Sequence, residues 1–462
     1  MSMNAAMAAP TTPTSERFGA DAYDERRSAP DAYAALFERI GADALAAERE
    51  RLGESLRARG VSFGAAPFVV DAVPRIVAAA EWELLARGLE QRVRALNAFL
   101  ADAYSDRRAV AAGVLPARVI DTADWYEPAM AGMGPAISAP VAGPDLVRAP
   151  GGEFLVLEDN MRAPSGLAYL LAARAGLEPL ATAAGLAPRM LEPAVEALGA
   201  ALRAAAPAGV ENPYVVLAGD GPGAGAAFEH RELARLLGLT VASVPELRRR
   251  GDRLLHGDRV VDVLYRRVDD ERLTAPGGWL TQLGELLADP VRAGTVGCVN
   301  SPGSGVADDK AVHAYTEALI GFYLGEEPLL RSVPGWDLGD PAQLDEALPR
   351  LGELVVKPRS EFGGRGVTIG PLATAEEVDA VTAAVRAEPE RWVAQEPVAL
   401  SVHPTVTAAG IRDRHVDLRP FVVTAGELVT VAAGGLSRFA PGEGEMIVNS
   451  GRGGGAKDTW VL

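Results

Sequence analysis

Three short stretches hold the residues whose types and spacing suit chemistry. In "EFLVLEDNMRAPSG", Glu153 to Gly166, four apolar residues from Phe154 to Leu157 run into Glu158, Asp159, Asn160 and Arg162. The apolar run predicts a short buried strand. Side chains alternate along a strand, so Glu158 and Asn160 share a face while Asp159 points the other way. Asp145 stands 13 residues before Glu158; if "DLVR" and "FLVLEDN" are the two strands of one hairpin, the two acids meet at its open end. Asp, Glu and Asn oxygens on one face are hard ligands that suit Mg2+, which takes one or two carboxylates plus substrate phosphates. A solvated Asx-type turn finished by Pro164, Ser165 and Gly166 would use the same residues with no ligand.

The second stretch is "ELVVKPRSEFGGRGVTIG". Lys357 ends a strand, and Gly363, Gly364 and Gly366 precede a second strand. That pattern describes a hairpin flap whose backbone N–H groups can close over phosphates, because glycine brings no Cβ between backbone and anion. The order is not that of a P-loop, and an ordinary Gly-rich hairpin with a surface lysine reads the same way. The third stretch is "GDGPGAGAAFEH", where Gly221, Gly223 and Ala226 fit a G-x-G-x-x-[GA] dinucleotide turn and Glu246 follows about 20 residues on. It is a weak signal in a chain with 50 glycines, and Pro222 sits inside the turn. A helix N-terminus serving some other anion explains it equally well.

These residues need elements to hold them. From about Asp31 to Ala112 the chain reads as helix, with Ile76, Ala79, Trp82, Leu85, Leu89, Val93, Leu96 and Leu100 at three-to-four spacing. Ala-rich helices run from Ala168 to about Ala205. "YVVLAGD", "AAFEHRELARLLG" and "LTVA" make a strand–helix–strand block. A helix begins at "AVHAYTEALIGFYLG", another spans Ala375 to about Ala387, and strands alternate over the last sixty residues. Strands alternating with helices place the chain in a mixed α/β (α+β) class.

Composition sets limits. The 462 residues carry a formal net charge of −17, which argues against non-specific binding to nucleic acid or an anionic membrane but not against a nucleotide in a local basic pocket. Arg248, Arg249, Arg250 and Arg253 read as a solvated helix end. Cys298 is the one cysteine, so no intrachain disulfide is possible, and its small apolar surroundings predict a buried structural thiol. The five histidines show no zinc-ligand spacing. The first residues resemble a disordered tail rather than a secretory signal, and no run of about 20 apolar residues free of charge suggests a membrane span. A cytoplasmic location is expected.

Taken together, "LEDNMRAPSG", "YRRVDD", "NSPGSGVADDK", "VVKPRSEFGGRGV", "QEPVALSVHP", "RHVDLRPFV", "GGLSR" and "GGGAKDTWVL" resemble the circularly permuted ATP-grasp family, a relative of glutathionylspermidine synthetase. The resemblance runs from about Tyr23 to Leu462. The metal motif stands upstream of the lysines, which implies a permutation in which the strands after residue 400 return to a core begun near residue 140. It further implies residues 1–22 as a tail, 23–139 as a mostly helical region, 140–205 as the first part of the core, 206–300 as a Rossmann-like subdomain, 301–400 as an ATP-binding lid and 401–462 as the returning strands.

The same resemblance makes Lys310 and Lys357 the ATP-binding lysines and "QEPV" the adenine hinge, with Gln395, Glu396 and Val398. Asp145, Glu158 and Asn160 become the Mg2+ ligands. Arg162, Arg419 and Arg267 are candidates to hold an acyl phosphate. Lys310 also stands at a helix start capped by Asp308 or Asp309, and Lys457, beside glycines, is a possible further phosphate contact. Gln395 departs from many ATP-grasp proteins, which place an acid there. The implied activity is Mg-ATP-dependent joining of a small-molecule or peptide carboxylate to an amine, with no nucleic-acid or membrane partner. A catalytically silent ATP-binding protein and, on the Gly221 turn, a nicotinamide-dependent oxidoreductase are the alternatives.

Overall fold

The computed structural model describes residues 22–268, 272–360, 365–446, 448 and 454–462. Gly363 and Gly364 of the expected flap lie outside the described residues. Among the described residues no helix is long and apolar enough to cross a membrane.

The expected hairpin forms. Asp145–Arg148 pairs antiparallel with Phe154–Glu158, and Asp145 stands opposite Glu158, with a register shift immediately after it. Leu146 then exchanges both backbone hydrogen bonds with Leu418, which docks the hairpin on a five-stranded sheet. That sheet runs, in order, Arg75–Val77, Gly455–Val461, Leu428–Phe439, Arg419–Ala425 and Val141–Ala142. The last elements of the chain therefore lie between its earlier ones. Val141 and Ala142 pair with Val423 and Val422, and Thr459 to Val461 run parallel to Arg75 to Val77.

The helix Ala79–Ala103 backs this core with Trp82, Leu85, Leu89, Val93, Leu96, Phe99 and Leu100, all buried. At about 1.5–3 kcal/mol for each large apolar side chain removed from water, this stripe is a main source of core stability. Gly88 on the same helix lets the segment before the next sheet approach, since a Cβ there would stand 2.7 Å from that of Leu330.

Two further sheets flank the core. Gly297–Val299, Val263–Arg267, Val215–Gly219 and Thr240–Ser243 form a parallel four-stranded sheet in that order. The helix Ala227–Leu237 makes the strand–helix–strand crossover that the sequence suggests. The other sheet is antiparallel, in the order Gly335–Asp337, Trp392–Gln395, Val355–Pro358 and Thr368–Ile369. It has a small core of its own, built on Leu338, Leu351, Leu354, Val356, Val381 and Val385.

Three expectations change. The stretch from Asp31 to Ala112 is not helical throughout: one helix ends at Ala58, the next begins at Ala79, and Ile76 lies between them in the strand Arg75–Val77. Arg248 to Arg250 are not a helix end: Leu247–Arg250 is a strand paired antiparallel with Arg253–His256, and its arginines are exposed. Lys457 is not available to a phosphate. Its strand is buried at every position, and its Nζ donates to Asp71 and, at 3.1 Å, to the carbonyl of Pro404. Cys298 is buried in the apolar core, and burial pushes its thiol up to about 11, so it is inert at neutral pH.

Candidate active site

The antiparallel sheet and the hairpin face each other across a cleft of about 440 Å³. One end is apolar, lined by Val147, Leu157, Val355, Ile369, Leu400 and Met446. The other end is charged, and most of the residues singled out in the sequence line it: Asp145, Glu158, Asn160, Arg162, Lys310, Lys357 and Arg419. Gln395, Glu396 and Val398 line the cleft as well. Gly366 adopts a left-handed conformation, φ +67°, that suits glycine in a tight turn. Gly366 lies beside Pro358, just past the Lys357 strand end.

Asp145 is 1% exposed. Arg419 grips it bidentately, Nε and Nη2 each 2.6 Å from its oxygens, and Arg438 adds a third bond at 2.8 Å. Burial works against its charged form, but Arg419 and then Arg438 outweigh it and hold the carboxyl well below the usual range. Arg438 also binds Asp417 through Nε at 2.9 Å. These residues meet because Leu146 pairs with Leu418 and the Asp417 N–H donates to the Arg438 carbonyl. Asp417 and Arg438 went unassigned in the sequence reading. Period-two alternation puts Asp417 on the face of Arg419 and could have found the first; nothing local marks Arg438.

Glu158 stands opposite Asp145 across the hairpin. Asn160 donates its amide nitrogen to the Gly143 carbonyl at 3.0 Å, which leaves its oxygen as the atom it can offer a cation. Two adjacent acids and an amide oxygen are hard oxygen donors, and their chemistry fits Mg2+. Three of the four lone-pair positions of Asp145 are taken by guanidinium hydrogens, so Glu158 and Asn160 are its more open members.

Lys357 is 9% exposed and donates to Gln395 Oε1. Gln395 in turn donates to the Leu157 carbonyl at 3.1 Å, tying the strand Trp392–Gln395 to the hairpin. Burial lowers the Lys357 ammonium to about 8; Glu158 and Asp145 pull it up, and Lys310 pushes it further down. A neutral glutamine beside it adds no charge to oppose that drop. Lys310 begins the helix Lys310–Leu324, which Asp309 caps by accepting from the Ala311 N–H at 2.9 Å. Asp308 instead accepts from the Met161 N–H and lies 3.7 Å from Arg162. Arg162 stacks on Trp125, 3.8 Å from the ring centre.

Arg267 is the candidate that does not line the cleft. It is 4% exposed and donates to the Pro164 carbonyl at 2.7 Å, to Ser165 Oγ and to Glu229 Oε1 at 2.8 Å. Glu229 accepts from the Gly166 and Ala168 N–H groups. Arg267 therefore braces the loop that follows the Glu158–Arg162 motif. The dinucleotide alternative loses its ribose-reading acid, because Glu246 closes a capping box with Ser243.

Residues 74–440 match the circularly permuted ATP-grasp type 2 family. The chain belongs to that family. The permutation is visible in the five-stranded sheet, where strands after residue 400 complete a layer begun by Val141–Ala142. A Frankia alni protein named "Putative glutamate–cysteine ligase 2-3" is 44% identical over 97% of this chain and 51% of its own length. A Frankia casuarinae protein named "Putative glutamate–cysteine ligase 2-2" is 43% identical over 92% of the chain and 50% of its own. The chain thus spans about half the length of these two relatives. An uncharacterized Mycobacterium tuberculosis protein is 38% identical over 91% of the chain and 79% of its own length. Among solved structures, a glutathione synthetase-like effector from Globodera pallida, in apo form, superposes with a TM-score of 0.59. It covers 91% of this chain and 98% of that one at 13% identity, a likeness of fold alone. The circularly permuted ATP-grasp fold is thus supported by sequence and by shape.

Proposed function

We propose that this circularly permuted ATP-grasp protein is a Mg2+- and ATP-dependent carboxylate–amine ligase that works through an acyl phosphate. The observation that carries the proposal is the gathering of three kinds of group in one partly apolar cleft: the Asp145, Glu158 and Asn160 oxygens, the Lys310 and Lys357 ammonium groups, and the Arg419 and Arg438 guanidiniums. The apolar end suits an adenine ring, with the backbone from Glu396 to Val398 beside it to read the ring edge. Glu158, Asn160 and Asp145 would hold Mg2+, which would supply charge neutralisation to the phosphates.

The chain's own residues do the rest. Lys310 and Lys357 offset phosphate charge, which is most of what phosphoryl transfer asks of a protein. An oxygen of the acid substrate attacks the γ-phosphorus, the bond to ADP breaks, and an acyl phosphate forms. The amine nitrogen then attacks the acyl carbon, phosphate leaves, and the amide remains. Arg419 and Arg162 line the cleft, which supports a guanidinium holding an anionic acyl phosphate. Arg267 acts at one remove, by fixing the loop that carries Arg162.

The names of the Frankia relatives make glutamate and cysteine the first substrates to try, an amino-acid carboxylate and an amino-acid amine. The test is ADP formation from Mg-ATP by the purified chain with glutamate alone, cysteine alone and both. ADP that requires both, and that Glu158→Gln abolishes, is the expected result. ADP formation indifferent to every acid and amine supplied would overturn the ligase reading.

A further inference from the structure

Asp159 sits between two cleft residues, Glu158 and Asn160, yet takes no part in the cleft. Strand alternation turns its side chain inward, where it is 3% exposed. Arg92 grips it bidentately, Nε to Oδ1 at 2.6 Å and Nη2 to Oδ2 at 2.7 Å. His313 Nδ1 lies 2.9 Å from the same Oδ2 and 3.1 Å from Arg92 Nη2. Arg92 Nη1 reaches Ser332 Oγ at 3.1 Å. Arg92 belongs to the core helix Ala79–Ala103, and His313 lies one turn after Lys310 on its helix. Ser332 lies in the segment leading into the strand Gly335–Asp337.

Burying two full charges costs several kcal/mol per ion, and well-packed apolar side chains would hold these elements together as well or better. What the ionic arrangement adds is fixed direction, since a guanidinium fork meets a carboxylate in one plane. We infer that Arg92, Asp159 and His313 form a positioning triad that sets the carboxylate–amide pair Glu158 and Asn160 in register with Lys310. Pinning the residue between two donors fixes both neighbours, and the imidazole ties that pinned point to the helix that starts with the lysine. The acidic and basic halves of the phosphate end are thereby one rigid unit, rooted in the core. This inference rests on the Mg-ATP reading of the cleft.

A fluorescent ATP analogue, titrated into the full chain with EDTA and with Mg2+, gives two dissociation constants whose ratio is the benefit of the metal. The wild type is expected to bind more tightly with Mg2+. Residues that orient metal ligands typically cost about 10–100-fold in metal affinity when changed, so Asp159→Asn is expected to lose at least about tenfold of the benefit. Its affinity in EDTA stays near that of the wild type. His313→Asn, which keeps a nitrogen near the Nδ1 position, retains the benefit; His313→Leu, of similar bulk, loses it. If Asp159→Asn does not fold, the two His313 variants decide. An unchanged ratio in Asp159→Asn, equal ratios in the two His313 variants, or a parallel loss with and without metal would overturn the triad. A wild type with no Mg2+ benefit would instead overturn the Mg-ATP reading on which it rests.

Discussion

Lys357 is a buried lysine at the cleft whose proton is held loosely. Burial brings its ammonium from 10.5 to about 8, with Lys310 adding to the drop against Glu158 and Asp145. Between those values the unfolded chain binds more protons than the folded one, so this group makes the free protein more stable as pH rises from about 8 towards 10.5. Phosphate beside it restores the charged form. The lysine is therefore expected to take up protons when nucleotide binds at pH 8 and to contribute almost none at pH 6, where it is already charged. Calorimetry in buffers of different ionisation enthalpy measures the uptake, and Lys357→Met should abolish it. The lysine was legible in the sequence because it ends a strand just before a Gly-rich turn. Its partner's role was not: Gln395 stood out as a hinge residue, but only the fold shows that it holds Lys357 and the hairpin together.

At the scale of elements, the hairpin carrying Asp145 and Glu158 was readable because an apolar run, a Gly-Gly turn and alternation fix a register locally. Long-range pairing was not readable. Arg419 and Arg438 meet Asp145 across 274 and 293 residues of chain, and no local pattern encodes such a partner. Arg267 shows the same limit from the other side. "YRRVDD" suggests a catalytic guanidinium, whereas Arg266 donates to the Asn300 carbonyl and Arg267 to the loop at Pro164 and Ser165. Removing one member of a buried ion pair costs about 3–5 kcal/mol. Arg267→Met, which strands Glu229, is expected to lower stability by that order in urea unfolding. Its effect on the nucleotide dissociation constant should be small, because the residue does not line the cleft.

For the whole molecule, the strand Gly455–Val461 lies between Leu428–Phe439 and Arg75–Val77 and is buried throughout. Trp460 is fully buried, and Arg174 binds Asp458 bidentately at 2.6 and 3.1 Å. A chain ending at Gly454 should therefore lose cooperative thermal unfolding altogether, as circular dichroism would report, rather than melt a few degrees lower. The permuted order of motifs was evident from the sequence, since the Glu158–Arg162 motif precedes the lysines. Which strands become neighbours was not, because a parallel partner such as Arg75–Val77 lies nearly the full chain length away from Thr459. The −17 charge likewise gave no sign of the lysines and arginines gathered at one end of the cleft.

The central claim is that this cleft makes an acyl phosphate. Hydroxylamine intercepts such an intermediate and leaves a stable hydroxamate, so the decisive measurement is hydroxamate formation from Mg-ATP and glutamate, followed by a wider set of amino-acid and peptide carboxylates, with no natural amine present. Hydroxamate and ADP are expected in equal amounts, dependent on the acid and on Mg2+, and absent in Glu158→Gln. Tight Mg-ATP binding with no hydroxamate from any acid would contradict it.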